Sequence, residues 1–166
     1  FWRLTRLALL TKDPTLEDLV RQRFLITDDG LVCYNLLPLL DKEFAKEFIP
    51  VTLKNETVSV RIAGIDAIES HHLTEMTDNL VELIEEEKKS TVTIRLIKLS
   101  PEFLTVEVLR ALMNNPLTSK EAMSLAIASP HFTELIGDIE GKGCRGAEIN
   151  QVNIKNLQTL DPFPSG

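Results

Sequence analysis

The sequence predicts one domain, residues 1–166, of the α/β or α+β class: a small mixed sheet or barrel with several flanking helices. Three observations lead to this prediction. The chain has 166 residues, a length typical of one domain. Segments with helical periodicity are interspersed with short segments of strand periodicity. Hydrophobic residues make up 43% of the chain, which is enough for a core without disulfides or metals.

Two helices are expected in the first third of the chain. Asp13 is a good N-cap and is followed by a proline at the first helical position, so a helix should run over 14–24. Apolar residues recur every four positions across 40–48, which predicts a short amphipathic helix. Pro50 is expected to end it, because proline removes a helical hydrogen bond.

Strand periodicity appears in three places. Apolar and polar residues alternate over 51–53 and again over 58–62, and the polar turn 54–57 lies between them, so a β-hairpin is expected. The same alternation over 92–96 predicts a further half-buried strand.

The remaining elements are mostly helical. An apolar stripe over 73–84 opposes a row of acids, which predicts an amphipathic helix that ends near Lys89. Helical spacing also continues over 104–112, although the β-branched residues there favour a strand almost equally. Further helices are expected over 118–129 and 130–139. Residues 147–152 are expected to be extended, with a short terminal helix over 153–160.

The charge distribution is uneven. The net charge is −7, and residues 66–90 alone hold eight acids and two lysines. We interpret this acidity as one solvated face, which an interaction scaffold could present to a protein or peptide partner. Cys33 and Cys144 lie far apart, which favours a reducing, cytoplasmic location over a disulfide framework. No apolar run is long enough for a membrane span, so no membrane partner is expected.

Arg61, Asp66 and Glu69 follow one another in the segment 60–69. This spacing resembles the staphylococcal-nuclease-like domain, and the resemblance implies a barrel strand whose acids hold Ca²⁺ and whose arginine stabilises a phosphate. The upstream Asp-Gly-Asp of that family is absent, and 45–47 stands in its place. The resemblance therefore implies a degenerate, extended-Tudor-type barrel that binds proteins rather than an active nuclease.

The same region offers a second interpretation. Its carboxylates and adjacent histidines are residue types that bind several metals. The group comprises Asp66, Glu69, His71, His72 and Glu75. Adjacent histidines at a helix entry are also common in solvated loops, so the sequence favours no metal and no cofactor.

A series of motifs in the last third of the chain resembles a different family. They are the Ser-Pro-Glu-Phe-Leu of 100–104, the glycine loop with its Ile-Asn over 143–150, the Asn-Ile-Lys-Asn-Leu of 153–157, and the Asp-Pro-Phe-Pro exit of 161–164. Their order resembles the target-recognition domain of type I restriction–modification specificity subunits. The resemblance implies a non-catalytic DNA-sequence-recognition domain that works beside a methyltransferase-type partner subunit.

The candidate DNA-binding residues are basic or carboxamide side chains in this region. Basic side chains would neutralise phosphates of double-stranded DNA, and asparagine or glutamine would recognise adenine edges in the major groove. The set is Lys142, Arg145, Asn150, Gln151, Asn153, Lys155 and Asn156. DNA recognition is thus the first functional hypothesis, a nuclease-like protein-binding barrel the alternative, and an acidic scaffold the third; none of them is an enzyme.

Overall fold

The computed structural model describes residues 3, 7, 10–25, 37 and 40–143, and its regular elements within this part of the chain are all helical. Helices α1 to α8 span, in order, Pro14–Leu25, Lys42–Leu53, Val58–Ser70, Thr77–Glu86, Ser90–Ile97, Val106–Asn114, Ser119–Ala128 and Phe132–Gly143. Two 3₁₀ helices, Thr74–Met76 and Pro101–Phe103, precede α4 and α6. The prediction of a mixed sheet or barrel is wrong, because the described residues contain no strand.

The helices alternate between two layers. In layer A, α2 packs against α4, α4 against α6, and α6 against α8; in layer B, α3 packs against α5. Helix α3 also packs on α2, and α7 packs on α6 and α8, which joins the layers. Each helix thus contacts mainly its near neighbours along the chain, as in stacked helix-pair proteins. The turns lie at two edges: the first edge holds 54–57, 87–89 and 115–118, and the second edge holds 71–76 and 98–105.

Helix α2 shows how local signals and packing combine. Asp41 is its N-cap and accepts a hydrogen bond from the amide of Phe44 at 2.9 Å. Phe44 and Phe48 are buried on one face, as their four-residue spacing predicts. Pro50 does not end the helix, which continues to Leu53 because Thr52 and Leu53 are again buried against α3 and the core.

The predicted hairpin over 51–62 is replaced by the end of α2 and the start of α3. Helix α3 buries residues on nearly all of its sides, including Val60, Ala63, Ile65 and Ile68. A helix that is enclosed on all sides has no polar face, so its hydrophobic periodicity is lost and a short window can imitate a strand. The packing of α3 between α2 and α5 therefore determines that this segment is a helix.

The predicted strand over 92–96 is helix α5. Val92, Thr93 and Leu96 are buried, whereas Ile94 is 52% exposed, so the apolar alternation does not correspond to a buried face. The Thr93 hydroxyl is satisfied inside the protein because it donates to the carbonyl of Ser90 at 3.0 Å. Tertiary packing here outweighs the strand propensity of the β-branched residues.

Helices α2 and α3 approach each other closely at Gly64. A Cβ atom at this position would lie 2.5 Å from the hydroxyl of Thr52 and 3.0 Å from a methyl group of Leu53. Thr52 is buried and its hydroxyl donates to the carbonyl of Ile49, so it has little freedom to move away. Only glycine allows this separation of the two helices.

The other predicted helices are confirmed with shifted ends. Helix α1 begins at Pro14, and the carboxylate of Asp13 accepts the amide of Thr15 at 2.9 Å. Helices α4, α6, α7 and α8 correspond to the predicted helices over 73–89, 104–112, 118–129 and 130–139. No helix among the described residues combines the length and apolar character needed to cross a membrane.

Candidate functional site

Arg61, expected on a barrel strand, lies inside helix α3 and is buried at the first edge. Its Nε and Nη2 atoms donate to the two carboxylate oxygens of Glu87 at 2.8 and 3.0 Å. Its Nη1 atom donates to the carbonyls of Asn55 and Glu56 at 2.8 and 2.9 Å. The guanidinium therefore joins the α2–α3 turn to the α4–α5 turn, a structural task that uses four of its five hydrogens.

Glu87 continues this network towards the next turn. One carboxylate oxygen also accepts the amides of Lys88 and Lys89, which lead into α5. The side-chain amide of Asn115, in the α6–α7 turn, donates to the carbonyls of Ile84 and Glu87 at 2.7 and 3.0 Å. Three successive turns of the first edge are thus linked by buried polar groups.

Asp66 and Glu69 lie elsewhere, on the side of α3 that faces α5 and the second edge. Both accept hydrogen bonds from Arg95, with 2.7 Å between Arg95 Nε and Asp66 Oδ1. Glu69 also accepts the amide and hydroxyl of Ser100. Since Arg61 is occupied by Glu87 while the two acids are occupied by Arg95, the expected nuclease-like arrangement is not formed.

We expect Glu69 to make stability depend on pH. Burial raises the pKa of its carboxyl, but hydrogen bonds from Ser100 and Arg95 outweigh burial and hold this pKa below its ordinary value. The stabilisation is therefore present above the unfolded pKa of about 4.3 and is lost as the pH falls through the folded pKa. Glu69→Gln should cost about 1–2 kcal/mol at pH 7.

The measurement is urea denaturation of wild type and Glu69→Gln at pH 7 and pH 3. The variant should lose less stability on acidification than the wild type. Glu121→Gln, which removes one exposed glutamate from α7, is the matched control. If Glu69→Gln loses as much free energy of unfolding between pH 7 and pH 3 as the wild type does, these hydrogen bonds contribute nothing to folding stability.

The residues of the candidate metal cluster do not converge on one point, because they contact different parts of the protein. His71 Nε2 lies 2.9 Å from the carbonyl oxygen of Leu37, and His72 Nδ1 lies 2.9 Å from Glu102 Oε1. Glu75 lies 2.7 Å from Lys46 Nζ. Among the residues that the structure describes, no three His, Cys, Asp or Glu side chains are placed to hold a metal ion.

The candidate DNA-binding residues fall almost entirely outside the described residues. Lys142 is the penultimate residue of α8, and the other six, from Arg145 to Asn156, lie beyond the end of that helix. DNA recognition by this segment stays a prediction.

An acidic surface lies on the outer side of α4, in the middle of layer A. Asp78, Glu82, Glu85 and Glu86 are all exposed there, and α4 contains no basic residue. Lys54, at the end of α2, contacts this row, since its Nζ lies 3.3 Å from Glu82. These four residues are called the acidic surface below.

The acidity of 66–90 is not one solvated face. Glu87 is buried, and Asp66 and Glu69 are half-buried at the second edge. Glu87 was missed because it continues a run of glutamates, yet it lies seven residues after buried Leu80. That spacing places it, just after the end of α4, in line with the buried stripe of this helix, and this is the signal that distinguishes it from Glu85 and Glu86.

Surface clefts adjoin the acidic surface where α2 ends. One of about 660 Å³ is lined by Pro50, the half-exposed Val51 and the turn residues 54–57. A second of about 380 Å³ continues past Leu53 and Leu83 to Lys88 and Lys89. Both are open and mixed in polarity, so a flexible or extended segment of a partner fits them better than an enclosed small molecule does.

Comparison of the chain with protein-family models, with curated proteins and with solved structures gives no match.

Proposed function

We propose that this chain is a non-catalytic helical scaffold that binds a basic protein or peptide on the acidic surface of α4. The observation that carries the proposal is the exposure of four carboxylates on one helix that contains no basic residue. Helix α4 lies between α2 and α6 in layer A, so packing on both sides fixes the position of these carboxylates. A fixed row of like charge attracts a complementary surface and speeds its association.

Two neighbouring cations, Lys54 and Arg110, already pair with acids, whereas Lys88 and Lys89 lie exposed just after the end of α4. Lys54 pairs with Glu82 at 3.3 Å, and Arg110 on α6 pairs with Asp138 on α8 at 3.1 Å. Glu107 adds a further exposed carboxylate on α6. Among the described residues, Asp78, Glu85 and Glu86 form no ion pair, so these carboxylates are left for a partner to neutralise.

Charge reversal of Glu82, Glu85 and Glu86 to lysine tests the proposal. The probe is a fluorescent peptide of alternating lysine and alanine, and its affinity is measured by anisotropy at low and at physiological salt. We expect the wild type to bind more weakly as salt rises, because salt screens exposed charges. The triple variant should bind about tenfold or more weakly, since each exposed charge pair contributes about 0.2–1 kcal/mol.

A matched control distinguishes an effect of the acidic surface on peptide affinity from an effect of the net charge of the protein. Asp18, Glu121 and Glu134 are exposed acids outside α4 and its adjoining clefts, and their reversal to lysine changes the net charge by the same amount. The control should retain most of the affinity. Equal loss in both triple variants would mean that the peptide responds to overall charge, and the acidic surface would then be discarded as the binding site.

A further inference from the structure

The buried polar network of the first edge joins successive helix pairs of the stack. In a stack of helix pairs, each pair contacts mainly its neighbours, so a pair can open without the whole protein unfolding. Apolar packing between pairs is non-directional and does not by itself set their register. Directional contacts between α2–α3 and α4–α5 lie at both edges: Arg95 bonds to Asp66 and Glu69 at the second edge, and Arg61 forms a bidentate pair with Glu87 at the first edge. The Arg61–Glu87 pair is the more deeply buried of the two.

We propose that the Arg61–Glu87 pair is a conformational latch that couples the opening of α4–α5 to that of α2–α3. The side chains are 11% and 3% exposed, so neither charge is solvated if the pair separates within the folded protein. The latch is a property of the fold and does not depend on the partner proposed above.

Each of the two latch residues also forms hydrogen bonds with the backbone of a turn. Arg61 donates hydrogen bonds to the carbonyls of Asn55 and Glu56, which lie in the turn between α2 and α3. Glu87 accepts the amides of Lys88 and Lys89, which precede α5. If one turn opens, the other loses the charge that balances its own buried group, and leaving a buried polar group unpaired is costly.

The link to the third pair is of a different kind. Asn115 bonds to the carbonyls of Ile84 and Glu87 through a neutral amide. Neutral hydrogen bonds contribute about half as much as those to charged groups. The polar link between the first two pairs is therefore stronger than the polar link between the second and third.

Residue-resolved native-state hydrogen exchange tests the latch. In the wild type, amides in the middle of α3 and of α5 should show the same protection within about threefold. In the double variant Arg61→Met/Glu87→Leu, protection in α5 should fall at least tenfold below that in α3. Replacement of a buried ion pair by apolar residues of similar volume is often neutral, so the double variant is expected to fold.

Glu87→Gln provides a second test that does not depend on the folding of the double variant. It keeps the volume and one acceptor oxygen but removes the charge, and α5 should lose protection relative to α3 by about threefold. Selective loss of protection in α5 supports the latch. Equal protection of α3 and α5 in both variants, whether lowered or unchanged, overturns it.

Discussion

Arg61→Met is expected to lower the free energy of unfolding by about 3–5 kcal/mol. Removal of the guanidinium leaves the carboxylate of Glu87 buried without its counter-charge, with only the amides of Lys88 and Lys89 as partners. It also removes the donors to two backbone carbonyls of the α2–α3 turn. A single-domain protein has about 5–15 kcal/mol of stability, so this variant should be close to unfolding.

The measurement is urea denaturation at pH 7, followed by far-ultraviolet circular dichroism. The double variant Arg61→Met/Glu87→Leu should recover much of the loss, because it leaves no buried charge without a partner. Arg110→Met, which breaks the exposed pair with Asp138, should cost less than about 1 kcal/mol. If Arg61→Met costs no more than Arg110→Met, Arg61 and Glu87 are solvated in solution and the turn network described above is wrong.

The helices that the sequence predicted well have a polar face or a clear start. Asp13 and Pro14 marked the start of α1, and the stripe of Leu80, Leu83 and Ile84 marked α4. Such helices face water on one side, so the 3.6-residue period survives in the sequence. The acidic helix of the candidate site was predictable for the same reason.

The elements that the sequence predicted wrongly are those where tertiary contacts outweigh local preference. Helix α3 is enclosed by α2 and α5, and Arg61 is buried there because Glu87 and two carbonyls compensate its charge. The partner that balances the charge, Glu87, is 26 residues away and does not influence the local periodicity around Arg61. The spacing of Arg61, Asp66 and Glu69 therefore resembled that of a nuclease-like site, although each of these side chains forms a stabilising contact within the fold.

The second large effect is expected at Phe48, in the core of α2. Phe48 is 1% exposed, and its ring centroid lies 5.0 Å from that of Phe44 at an interplanar angle of 59°. The guanidinium of Arg21 lies over the other ring, 4.6 Å from its centroid, so the aromatic pair also anchors α1. Phe48→Ala should cost about 3–5 kcal/mol, because it removes buried apolar area and leaves a cavity.

Two further variants of α2 separate cavity formation from a general weakness of this helix. Phe48→Leu keeps most of the apolar volume and should cost much less than Phe48→Ala. Val51→Ala changes a residue on the same helix that is 47% exposed and should stay within about 0.5 kcal/mol of the wild type. If urea denaturation gave similar losses for Phe48→Ala and Val51→Ala, α2 would not be packed on the core through Phe48, and the layer A contacts that position the acidic surface would have to be reassigned.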